Sequence, residues 1–130
     1  MTVHNHAIVW IDHRTAKIFY LGLESADERK IDAKLESGHL HHKANTVGSG
    51  KAHDDPTFFP RIDDALEHCQ AVLIVGPGNE KTLLHKHLKE GSRAHKGRDL
   101  HVQPADHPSD REIIALGRRY FHLGEAVREN

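Results

Sequence analysis

Cysteine is almost missing from this chain of 130 residues. With Cys69 alone, an internal disulfide and a Cys-based zinc site are both excluded, and a single thiol fits a reducing cytosol. Long apolar stretches are missing too: runs such as Ala71-Val72-Leu73-Ile74-Val75 fall far short of the ~20 residues that cross a bilayer. Met1-Thr2-Val3-His4-Asn5-His6 offers no charged leader followed by an apolar stretch. No membrane span or secretory signal is expected, and the expected compartment is the cytoplasm. Nor is there an excess of one charge, since 18 Lys and Arg stand against 19 Asp and Glu, for a formal charge of −1 with His neutral. The mean hydropathy of −0.64 is polar, yet the apolar residues gather into compact runs, unlike those of a disordered chain. The length suits one domain.

What the chain has in quantity is histidine. Protonating all fourteen would carry the formal charge from −1 to +13, one unit for each ring. Imidazole titrates nearest neutrality, and an adjacent polyanion favours its charged form. The surface is therefore close to neutral in water and conditionally cationic against phosphate.

Along the chain, His6–Ile11 reads as a β-rich run, Asp12–Thr15 as a turn and Ala16–Leu21 as the returning strand of a hairpin. After a second turn over Gly22–Asp27, Arg29–Leu35 alternates polar and apolar residues, the pattern of a strand with one wet face. From Ser37 to Asp55 apolar periodicity stops, which predicts a long loop, and long loops in small domains are functional or disordered. Asp55-Pro56 then reads as an N-cap with proline at the first helical position, predicting a helix to about His68. Ala71–Val75 is a fully apolar strand, as expected where both faces are covered. Gly76-Pro77-Gly78-Asn79 predicts a turn, with Asn79 capping a helix over Glu80–Glu90. Leu100–Gln103 is a last short strand, and Ser109-Asp110-Arg111-Glu112 is a capping box opening a final helix. The order β-β-β-loop-α-β-α-β-α predicts an α/β fold: a ribonuclease H-like mixed sheet with helices on both faces.

Such a fold raises a two-metal nuclease, which needs several converging carboxylates. Asp12 stands just past the first strand, but the central strand ends in Gly76-Pro77-Gly78 without an acid. Asp12 reads better as a turn residue capping its own hairpin, and Asp54, Asp55, Asp63 and Asp64 as caps and solvated face. Cys69 reads as buried packing, and Ser49 lacks a nucleophile elbow, so no catalytic residue is assigned. His4 with His6, and His39 with His41, share a strand face, with His42 adjacent, and could ligate zinc, nickel or copper. No His-Glu-x-x-His helix accompanies them; adventitious binding or plain surface polarity explains them better than a physiological site, and neither a metal nor a cofactor is expected.

An anion or RNA surface explains more. Between Ser37 and His53 there is no acid, while Lys43, Lys51, His39, His41, His42 and His53 are present, and Gly48-Ser49-Gly50 offers backbone amides without bulk. Lys81, His85 and Lys89 fall at i, i+4 and i+8, one stripe of the helix, with Lys86, Arg93, His95, Lys96 and Arg98 adding charge on or after it. The alternative for this helix is a solvated face salt-bridged to Glu80 and Glu90.

The run Val72-Leu73-Ile74-Val75-Gly76-Pro77-Gly78-Asn79-Glu80-Lys81-Thr82 resembles the middle domain of Pelota and of the archaeal–eukaryotic class 1 peptide-chain release factors. So does what precedes it, a meander opening on Ile8-Val9-Trp10-Ile11-Asp12 and a glycine-bearing loop leading to a helix. The resemblance runs from about Ala7 to Phe121 and extends to small bacterial single-domain proteins described as translational machinery components. It implies one domain over residues 1–130. In release factors this loop carries Gly-Gly-Gln, whereas here Gly48-Ser49-Gly50-Lys51 keeps the glycine character without the glutamine.

The reading that follows is a non-catalytic domain meeting ribosome, rRNA or tRNA. Its expected contact residues are His41, His42, Lys43, Gly48, Ser49, Gly50, Lys51, His53, Lys81, His85 and Lys89. Two alternatives stay open: a peptidyl-tRNA hydrolase-like enzyme with a degenerate loop, and a metal-binding module using His39, His41 and His42.

Overall fold

The computed structural model describes residues 5–22, 25–35, 53–90 and 97–123. Five strands form one sheet in the order β3-β2-β1-β4-β5: β1 His6–Ile11, β2 Thr15–Leu21, β3 Ala26–Asp32, β4 Ala71–Gly76 and β5 Asp99–Pro104. β1 and β2 pair antiparallel, as do β2 and β3, while β1, β4 and β5 run parallel. Three helices complete the fold: α1 Phe58–Ala65, α2 Glu80–Glu90 and α3 Asp110–Tyr120. This is the expected α/β mixed sheet of ribonuclease H-like order. Among the described residues no helix is long and apolar enough to cross a membrane.

Alternation along the central strands sends side chains to two cores. Ala7, Val9, Ile11, Val72 and Ile74 pack under α1 and α2, with Phe58, Ile62, Leu84 and Leu88. Ile8, Trp10, Leu73 and Val75 pack under α3 through Ile113. β1 and β4 are covered on both faces, which is why their sequences are nearly all apolar.

Two glycines mark close approaches. A Cβ on Gly76 would lie 2.1 Å from the Ile11 carbonyl oxygen, so only glycine lets the ends of β1 and β4 meet. On α3, a Cβ at Gly117 would lie 2.8 Å from Leu21 Cδ1, and its absence lets the helix settle on the sheet.

Asp12 caps its hairpin as expected, its Oδ1 accepting from the backbone N–H of Arg14 at 2.9 Å and Thr15 at 2.8 Å. The capping box of α3 is present in both directions, Ser109 to Glu112 and back. β3 and α1 differ from expectation at both ends, β3 closing at Asp32 rather than Leu35 and α1 at Ala65 rather than about His68. β3 starts at Ala26 rather than Arg29, because β2 supplies partners as far as Leu21, which faces Ala26. α1 starts at Phe58 with Thr57 at its N-cap: the Asp55 carboxylate accepts from Thr57 N–H at 2.8 Å and Thr57 Oγ1 at 2.7 Å, making a turn of the residues expected to be helix.

Candidate functional site

The site gathers at the C-terminal ends of β1 and β4, where the β1–β2 turn, the segment before α1 and the Gly-Pro-Gly turn converge. Its centre is Asp55, which is buried. Besides its bonds to Thr57, its Oδ2 accepts from the backbone N–H of Lys34 at 2.8 Å and from Arg61 Nη2 at 2.8 Å. Arg61 also donates to the Asp32 carbonyl at 3.0 Å. Burial alone would favour the neutral acid, but these donors outweigh it and hold the carboxyl well below the usual carboxylate range. One carboxylate thus ties Lys34 to the start of the α1 segment.

His53 corrects an expectation. It was to lie on the loop surface and gain charge against RNA, but it is only 9% exposed. Its Nδ1 accepts from Asp55 N–H at 2.8 Å, which leaves the proton on Nε2, 2.8 Å from the His13 carbonyl it donates to. The ring rests on Phe58 at 4.6 Å and stacks with His13 at 4.7 Å between centroids. His53 is an anchor for the base of the loop, with both ring nitrogens engaged by backbone groups.

His13 stands over it, more exposed. Its Nδ1 lies 3.1 Å from Glu80 Oε2, and its Nε2 lies 3.4 Å from Asp54 Oδ2. Glu80 opens α2 directly after the Gly76-Pro77-Gly78 turn, so His13 joins that turn to the loop base. With Asp54 and Glu80 here the base is acidic.

On α2, Leu84 and Leu88 are buried and His87 faces Phe59 at 5.7 Å, which turns the neighbouring stripe outward. Lys81 and His85 are half-buried and Lys89 is exposed. Lys81 Nζ donates to the Gly78 carbonyl, bracing the turn. Among the described residues, His85, Lys86 and Lys89 make no ion pair, and Glu80 bonds to His13 rather than to a lysine, unlike the salt-bridged alternative. Over two turns the stripe spans about 12 Å.

Arg98 and Asp63 also correct the sequence reading. Expected on a basic surface and a solvated face, they are 2% and 3% exposed and pair at 3.3 Å, with Arg98 Nη2 donating to the Leu66 carbonyl at 3.1 Å. Of the remaining expected residues, His41, His42, Lys43, Gly48, Ser49, Gly50 and Lys51 lie outside the described residues, as do His4, His39, Arg93, His95 and Lys96. His13, Asp54, Asp55 and Glu80 were not foreseen as a group. Only the turn composition around each was readable, because their meeting depends on strand pairing far along the chain.

By sequence the chain matches no protein-family model and no curated protein. Its fold has solved counterparts. It is similar to Archaeoglobus fulgidus Pelota, with a TM-score of 0.61 at 16% identity over 95% of this chain and 34% of that one. An archaeal translation termination factor, aRF1, matches with a TM-score of 0.56 at 11% identity, over 95% of this chain and 39% of that one. Thermoplasma acidophilum Pelota matches at 0.56 and 18%, over 98% and 39%. The Pelota and release-factor resemblance read from the sequence therefore holds at the level of fold, and this chain spans between a third and two fifths of the length of these proteins.

Proposed function

We propose that this chain is a non-catalytic, translation-associated domain that lies against ribosomal RNA or tRNA, in the manner of a Pelota or release-factor middle domain. The observation that carries the reading is the fold held in common with Pelota and aRF1 over 95% of the chain. The basic stripe on α2, in which His85 and Lys89 make no ion pair among the described residues, supports it as well. Lys43, Lys51, Lys81 and Lys89 supply fixed charge, His41, His42 and His85 add charge on contact, and Gly48, Ser49 and Gly50 let the backbone come close to the RNA. His53 takes no part in contact; it holds the base of the loop in place with Asp55.

The test is co-sedimentation with ribosomes over a salt series at pH 6 and pH 8. Binding is expected to fall steeply with salt, as counterion release requires, and to weaken as the imidazoles lose their protons toward pH 8. Failure to sediment with ribosomes or subunits at low salt and pH 6 would overturn the reading. Release of peptide from peptidyl-tRNA, abolished by Gly50→Ala, would replace it with the hydrolytic alternative.

A further inference from the structure

The geometry points to a binding site for a divalent transition-metal ion of the zinc class at His13, His53 and Glu80. It is separate from the histidines 39, 41 and 42 and independent of any contact with RNA. The three residues come from the β1–β2 turn, the segment before α1 and the first turn of α2, and one ligand atom of each lies within 4.8 Å of the others. Two imidazoles and a carboxylate form a donor set for zinc, nickel or cobalt rather than for magnesium or calcium.

The hydrogen bonding fixes the tautomer of His53. Asp55 N–H holds His53 in the tautomer with its lone pair on Nδ1 and its proton on Nε2, which donates to the His13 carbonyl. In His13, Nδ1 is hydrogen-bonded to Glu80 Oε2 at 3.1 Å, which places a proton there, and Nε2 faces Asp54 Oδ2 at 3.4 Å; an ion at Nδ1 takes the place of that proton. A ring nitrogen held from behind by a backbone carbonyl or a carboxylate is the usual arrangement of a metal-bound histidine.

Glu80 supplies the independent sign. Its Oε2 accepts from His13 Nδ1 at 3.1 Å, a contact that an ion would replace. Its other oxygen, Oε1, is buried without a hydrogen-bond partner among the described residues, a costly state for a carboxylate. An ion takes up the His13 and Glu80 lone pairs, sends any proton on His13 Nδ1 to solvent, and draws on His53 at the loss of one backbone hydrogen bond. Water completes the coordination.

Titration of the full chain with Zn2+, followed by calorimetry and by the visible absorption of Co2+, tests the site. One equivalent is expected to bind and to raise the melting temperature. His13→Ala and Glu80→Gln are each expected to weaken binding about tenfold or more, and substituting histidines 39, 41 and 42 together by alanine to leave it intact. His13 and Glu80 lie at the surface end of the cluster, so circular dichroism of both variants should match the parent. Binding indifferent to His13→Ala and Glu80→Gln, lost with the three loop histidines, or absent from the parent chain would overturn the proposal. None of these outcomes bears on ribosome binding.

Discussion

Cys69 shows what burial does to one group. Its side chain is 4% exposed, and burial pushes the thiol from its ordinary 9.0 up to about 11. Alkylation at pH 8 should therefore be slow in the native chain and immediate in urea, which mass spectrometry reads directly. The sign for stability follows. An unfolded thiol ionises near 9.0 and the folded one near 11, so the Cys69 contribution is intact below 9.0 and lost as pH rises between the two. A larger effect resides in Asp63 and Arg98, both shut away from water. Removing one partner leaves a buried charge, so Asp63→Ala should lower stability by about 3–5 kcal/mol in urea unfolding. Asp63→Leu combined with Arg98→Met should recover much of that loss. Neither residue announced this role in the sequence, since their meeting across 35 positions depends on where β5 enters the sheet.

Helices and strands were legible wherever their signals were contiguous. The α3 capping box needs only Ser109 and Glu112, three residues apart, and it formed as read. Ser109→Ala should cost about 1 kcal/mol in thermal or urea unfolding. Apolar runs likewise located β1 and β4. The signals failed where a residue had a partner elsewhere: Asp55-Pro56 has the composition of a helix start, but the Asp55 carboxylate is taken by Lys34, Thr57 and Arg61, and α1 begins later. Gly117 illustrates the same limit within a correctly read helix. Nothing nearby in sequence explains a glycine there, yet Leu21 and Ile8 stand where its Cβ would go. Gly117→Ala should cost about 1–3 kcal/mol through overpacking, measured against an exposed control such as Ala115→Gly.

For the molecule as a whole, composition misleads in both directions. A formal charge of −1 averages over acids at the loop base that are engaged with His13, Arg61 and backbone amides and a basic stripe on α2 that, among the described residues, is left partly unpaired. If RNA is the partner, Lys81→Ala with Lys89→Ala should lower the magnitude of the salt slope of ribosome binding by about 1.5–2, close to one unit for each lost phosphate contact. The melting temperature should change little with Lys89→Ala, whose side chain is exposed, and somewhat more with Lys81→Ala, which frees the Gly78 carbonyl.

Lys34 and the Asp55 carboxylate, 2.8 Å apart, also make the scaffold indifferent to what is strung between them. Closure entropy grows only about 0.6 kcal/mol for each doubling of length, so the number of residues between these two anchors should matter little to the sheet and helices. Inserts of other lengths or compositions could be spliced in there, and the sheet and helices should unfold at nearly the same denaturant midpoint whichever insert they carry.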